Sequence, residues 1–179
     1  VIDASGIQRA YSGPFSLQEA DYSNQAWFKE IQHRGIFISD VFMGLRQQPH
    51  VVIAVKKTRP DKSFYVLRTS VNIERITEIL SYEQTGEAGD AFLVNHAGVL
   101  QTPSRYFGDI LDKIPFAAPD FSDHTEVYQL QGLPRAQSLS ATGDPPRTLP
   151  EEVAKGPLVI SYAYIDGSPF ILMLVSPKD

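Results

Sequence analysis

The sequence predicts an α+β fold of two lobes, each an antiparallel sheet with flanking helices, joined by a helix. Three observations predict it. Segments rich in β-branched and aromatic residues, "IFISDVF", "HVVIAVKK" and "SFYVLRTSV", alternate with the turn-rich stretches "MGLRQQP" and "TRPDK". One segment, "NIERITEILSYEQTG", switches to a helical period, with Ile73, Ile76, Ile79 and Leu80 recurring on one face. The layout then repeats, because "DAFLVNHAGVLQTP" follows the same order of strand, glycine turn, strand and proline as "VIDASGIQRAYSGP" at the start.

Each element has its own signal. "VIDASGIQRAYSGP" reads as a hairpin, turning at Asp-Ala-Ser-Gly and stopping at Gly-Pro. In "YSNQAWFKEIQHRG", Ser23 is the N-cap expected of a short helix that carries Trp27 and Ile31 on one face and ends before Gly35. The three strands that follow are joined by short connections, which predicts antiparallel pairing. Asn72 then caps the linking helix, and Gly86 lies past its end. Between about Ser104 and Pro157 the chain is polar and proline-marked, with "TEVYQL" as its one clear strand. "PLVISYAYIDG" and "SPFILMLVSP" close the chain as a hairpin turned at "DGS". Residues 1–70 thus form the first lobe, and residues 71–179 the linking helix and second lobe.

Composition narrows the function. With 179 residues and 42% hydrophobic content the chain can bury a core. A net charge of -5, with lysines and arginines scattered, supplies no field for phosphates, so no nucleic-acid partner is expected. No apolar run approaches the roughly 18 residues that cross a bilayer, and the N-terminal residues have neither the basic start nor the apolar centre of a signal peptide. The chain starts and stops on strand-like sequence without an initiating Met, which reads as a piece of a longer protein. The absence of cysteine excludes disulfides, thiolate metal sites and cysteine nucleophiles, and leaves the compartment open.

Catalytic patterns are weak. Ser39, Asp40 and His50 are near in sequence, but no G-x-S-x-G occurs, and on a strand over residues 36 to 42 Ser39 and Asp40 would face opposite ways. His33, His50, His96 and His124 lack metal-ligand spacing, and "GEAGDAF" does not open a helix after a strand as a phosphate loop does. No catalytic residue, metal or cofactor is therefore assigned. Trp27 and Phe28 differ, since they sit on a short helix opposite strands carrying Asp40, Arg46, His50 and Arg68. Aromatic walls with a few polar groups describe a small-molecule pocket; the plainer reading makes Trp27 and Phe42 core. Arg68 interrupts a strand that otherwise looks buried and shares a face with Val66 and Ser70. A buried arginine must meet either a carboxylate of the protein or an anionic ligand, and the protein carboxylate is the commoner outcome.

In order and spacing, "VIDASG", "WF", "ISDVFMG", "PHVVIAV", "YVLRTSVNIERI" and "GDAFLVNHAGVLQT" resemble the tandem PAS-like extracytoplasmic sensor domains called double Cache domains. These occur in bacterial histidine kinases and chemoreceptors, and the nearest likeness is to sensor histidine kinases of sulfate- and metal-reducing bacteria. The resemblance covers nearly the whole chain. It implies two PAS-like lobes, with residues 1–70 as a membrane-distal ligand-binding lobe lacking the family's long N-terminal helix. It also implies a periplasmic location in an inner-membrane protein, transmembrane helices outside this chain, and a homodimeric parent kinase.

Amino-acid-binding members carry an arginine two before the tryptophan, a tyrosine after it, a tyrosine on the third strand and an aspartate near the end of the distal lobe's last strand. The matching residues here are Gln25, Phe28, Phe42 and Ser70. The resemblance therefore implies a ligand that is not a typical α-amino acid, with a small organic anion favoured. Its expected contacts are Trp27, Phe28, Asp40, Phe42, Arg46, His50, Arg68 and Ser70. Three alternatives stay open: a chemoreceptor sensor domain, a protein-interaction module whose pocket is filled by its own side chains, and an enzyme using Asp40 and His50.

Overall fold

In the computed structural model, residues 1–13, 21–44, 47–82, 89–119, 126–130 and 158–177 are described. They form an α+β fold with two antiparallel sheets and two helices. The first unit comprises the described residues of Val1–Ser39 and Val51–Val71, and the second those of Asp40–His50 and Asn72–Asp179.

The first unit opens with β1 (Ile2–Asp3), followed by α1 (Ala26–Arg34), β2 (Ile36–Ile38), most of β4 (Pro49–Thr58) and β5 (Phe64–Asn72). The sheet order is β1-β5-β4-β2, with Ile2 opposite Val66 and Phe37 opposite Ala54. The core is Ile2, Tyr22, Phe28, Ile31, Ala54 and Val66, with Trp27, Phe37 and Phe64 packed against it. Helix α1 joins this core through Phe28 and Ile31, at the i, i+3 spacing of one helical face. Its C-terminal end is tied down by Lys56, whose Nζ donates to the Gln32 carbonyl at 2.6 Å and lies over the Phe64 ring.

Two details of this unit differ from the pattern in the sequence. The helix starts at Ala26 rather than after Ser23, whose hydroxyl and N–H both turn to the Asp21 carboxylate; Gln25 stands at the cap with no side-chain bond. The expected single strand over 36–42 breaks after Ile38, and a short β3 (Phe42–Met43) resumes opposite His50 and Pro49. At the break, the Ser39 hydroxyl accepts the Val52 N–H at 2.9 Å, and the Val41 N–H donates to the buried Gln101 side chain at 2.6 Å instead of to a strand.

The second unit follows with α2 (Ile73–Tyr82), β6 (Asp90–Asn95), β7 (Glu126–Leu130), β8 (Leu158–Tyr164) and β9 (Phe170–Pro177), in the sheet order β6-β9-β8-β7. Asn72 caps α2 as its sequence predicts, its Oδ1 accepting the Glu74 N–H at 3.0 Å. Every residue of β6 is buried, which suits the unbroken apolar run "AFLV". Its free edge is satisfied by the returning chain, where Gln101 N–H donates to the Leu93 carbonyl and Thr102 Oγ1 accepts the Leu93 N–H. Phe92, Val94, Leu100, Ile160, Ile171 and Met173 centre the core.

The repeat seen in the sequence is also present in the hydrogen bonds. Asp3 Oδ1 accepts the N–H groups of Ser5 and Ile7 at 2.9 and 3.1 Å; Asn95 Oδ1 accepts those of Ala97 and Val99 at 3.0 Å each. In each turn the third residue onward is a glycine at positive φ, Gly6 at 90° and Gly98 at 74°, which a residue with a Cβ adopts only under strain. The two turns are one device used twice, an Asx side chain standing in for a backbone acceptor.

Candidate functional site

The candidate site lies in the first unit, where the guanidinium of Arg68 meets an aromatic group. Arg68 leaves β5 one alternation beyond the buried Val66, which brings it to the α1 side of the sheet. Its Cζ stands 5.5 Å from the ring centroid of Tyr22 and 5.8 Å from that of Trp27. Those two rings are themselves 5.5 Å apart and tilted by 58°, and Phe37 stands 6.3 Å from Trp27. Trp27 is placed by α1, Phe37 by β2, and Tyr22 by the Gly6 turn, whose carbonyl accepts the Tyr22 N–H at 2.8 Å. The Tyr22 hydroxyl donates to Gln8 at 3.3 Å.

The electrostatics of this group are unusual. Arg68 Nε is buried and has no hydrogen-bond partner among the described residues. Arg68 as a whole is half-buried, and the described acids of this unit supply it no carboxylate partner. Asp3 is held by Ser5, Ile7 and Arg9, Asp21 by Ser23, Glu30 by Arg34 and Asp61 by Ser63. Hydrogen bonds from Ser5 and then Arg9 hold the Asp3 carboxyl far below the usual carboxylate range. The Ser23 backbone N–H lowers the pKa of Asp21, and the Ser63 hydroxyl that of Asp61. All three stay ionised and committed to their own turns.

Of the residues expected at a ligand, the structure brings Trp27, Phe28 and Arg68 into this unit's packed side. Phe28 is 1% exposed and belongs to the core beneath Trp27, meeting it edge-on at 5.8 Å. Ser70 is exposed, two residues along β5 from Arg68. Asp40, Phe42 and His50 belong to the second unit. There Asp40 accepts the Asn95 amide at 3.1 Å. The Phe42 and His50 rings lie 4.4 Å apart, tilted by 57°, with His50 Nδ1 3.2 Å from the Gln48 carbonyl. Arg46 lies outside the described residues. Tyr22 and Phe37 were not singled out by the sequence reasoning. Phe37 had a usable signal, since alternation along "IFI" sets it apart from its two neighbours; Tyr22 precedes the helix and has no periodicity to betray it.

In the second unit a buried acid stands apart from this group. Asp90 is 4% exposed, accepts the Ser104 hydroxyl at 2.6 Å, and has its pKa raised because burial disfavours the charged carboxylate. Among the described residues no cluster of His, Asp or Glu could hold a metal ion, and no helix is long and apolar enough to cross a membrane.

No family model matches the chain. No curated protein matches it. Solved structures do. The ligand-binding domain of the Pseudomonas aeruginosa PAO1 amino acid chemoreceptor PctB, in complex with L-Arg, matches with a TM-score of 0.61 at 14% identity over 99% of this chain and 64% of its own. The ligand-binding domain of the Pseudomonas fluorescens chemoreceptor CtaA, in complex with L-alanine, matches with a TM-score of 0.60 at 16% identity over 99% of this chain and 71% of its own. The extracellular domain of rpHK1S-Z16, named a histidine kinase, matches with a TM-score of 0.61 at 12% identity over 99% and 69%. The chain spans about two thirds of the length of these structures. Its α+β fold is the one shared by the extracellular ligand-binding domains of chemoreceptors and histidine kinases, of the Cache type.

Proposed function

We propose that this chain is the extracytoplasmic small-molecule sensing part of a transmembrane signalling receptor, non-catalytic in itself. Residues 1–70, apart from the segment 40–50 that packs with the second unit, form its membrane-distal ligand-binding lobe, and residues 71–179 the linking helix and membrane-proximal lobe. The observation that carries the reading is the Arg68 guanidinium, set against Tyr22 and Trp27 with a buried Nε that no described residue partners. Such a group is costly in a module that only packs against itself, whereas a ligand can complete its hydrogen bonds. The fold supports the same reading, because the similar structures include ligand-binding domains in complex with GABA, L-Gln and L-serine.

Solved structures of this fold come from both chemoreceptors and histidine kinases, and the motif order favours a kinase as the parent, dimeric and anchored in the inner membrane by helices outside this chain. The ligand differs from those of the amino acid receptors. Gln25, Phe28 and Ser70 offer neither a second cation for an α-carboxylate nor an anion for an α-ammonium. A thermal-shift screen of small metabolites tests the function, since a ligand at 100 times its Kd adds about 2.7 kcal/mol to stability. For a protein of this size that is a rise of several degrees. One chemical class raising the melting temperature is the expected result; a broad library raising none would overturn the reading.

A further inference from the structure

We propose that Arg68 anchors an organic carboxylate that carries no α-ammonium group, with the ligand's apolar body lying against Trp27 and Tyr22. The inference rests on the sensing function proposed above and names the class of ligand. A guanidinium stays charged at any physiological pH and has five N–H donors and no acceptor capacity. Arg68 Nε is shut off from water and has no hydrogen-bond partner among the described residues. None of the unit's described acids neutralises it, because Asp3, Asp21, Glu30 and Asp61 are each bound elsewhere.

The two rings explain how this charge is tolerated with no described acid beside it and what it is set up to hold. At 5.5 and 5.8 Å from Tyr22 and Trp27 the cation is within reach of both ring faces, which favours it electrostatically and restricts the planar fork. A fork so restrained suits two parallel hydrogen bonds from a carboxylate, an arrangement a lysine cannot reproduce. The same site disfavours an α-amino acid. An ammonium next to the bound carboxylate would need an acceptor, and the committed acids leave it to be desolvated unpaired.

Matched ligands on the whole chain test this by titration calorimetry. 3-Phenylpropionate and propionate are compared with their neutral amides and with L-phenylalanine and L-alanine, which differ from the acids by the amine alone. The acids are expected to bind, with each amide and amino acid at least tenfold weaker. Arg68→Lys is expected to weaken the acids tenfold or more, about 1.4 kcal/mol. Arg68→Met, which keeps the apolar stem, is expected to abolish acid binding while the ligand-free protein melts within about 3 °C of the parent. A much larger drop in ligand-free melting would reveal an internal partner and overturn the proposal, as would an amino acid binding as tightly as its matched acid. Binding of neutral or cationic compounds with no response to acids overturns the carboxylate assignment alone. Silence to every class overturns the sensing function with it.

Discussion

At Asp3 and at Asn95 a single side-chain oxygen accepts two backbone N–H groups and fixes a turn, and the glycine that completes each turn meets a different neighbour. A Cβ on Gly6 would come within 2.6 Å of the backbone of Ser23, whereas one on Gly98 would meet the Ile114 side chain at 3.2 Å. Backbone cannot move aside as a side chain can, so Gly6→Ala should cost roughly 2–3 kcal/mol and Gly98→Ala about 1 kcal/mol. Denaturant melts of the two variants check the order, and because Gly6 positions Tyr22, only Gly6→Ala should also weaken ligand binding. Asp90 gives a prediction of opposite sign to most acids. Its folded pKa is raised, so its contribution favours the folded state below the normal carboxylate pKa and is lost as pH rises through the raised value. Asp21 and Asp61, with lowered values, favour folding above the normal carboxylate pKa and lose that contribution as pH falls through their folded pKa. Asp90→Asn keeps an oxygen to accept the Ser104 hydroxyl. It should therefore match or exceed the parent's stability at pH 7 and lose the advantage near pH 4, as melts at both pH values would show.

The two helices differ in how they begin. Helix α2 has a capping side chain in Asn72, and Asn72→Ala should cost about 1 kcal/mol. Helix α1 has none, although Gln25 already holds the extended backbone of a cap, with φ -70° and ψ 135°. Gln25→Asp should stabilise by roughly 0.5–1 kcal/mol, because the shorter carboxylate can reach the free N–H groups of the first turn and complements the helix dipole. Chemical denaturation curves for both variants should shift in opposite directions with unchanged slope. Periodicity made both helices legible in the sequence, since Ile73, Ile76 and Leu80 repeat on one face whatever surrounds them. Their starts were legible only where no competing acceptor intervened. Asn72 has no rival, while the Ser23 hydroxyl is drawn to Asp21 two residues earlier. The break at Ser39 was not legible, because it depends on Gln101, distant in sequence, offering its side chain to Val41.

For the molecule as a whole, the order of elements carried more information than any single residue. Strand, Asx-Gly turn and returning chain recur at Asp3 and Asn95 with the same hydrogen bonds, and that repetition survives where sequence identity does not. The candidate site was legible in part. Trp27 and Arg68 stood out as an aromatic on a short helix and a charge in an apolar strand, and the structure brings them together. That the described acids of its unit are taken by local partners, Ser5 and Arg9, Ser23, Arg34 and Ser63, was not singled out from the sequence, although each partner lies within six residues of its acid. Trp27 is also the chain's only tryptophan, so its emission reports on this site without background from elsewhere. The most direct test of a sensing site is therefore to titrate the intact chain with each compound that raises its melting temperature and follow Trp27 fluorescence. A saturable change in emission, with a midpoint matching the calorimetric Kd and lost in Arg68→Met, is the predicted result. A compound that binds tightly and leaves Trp27 emission unchanged would contradict it.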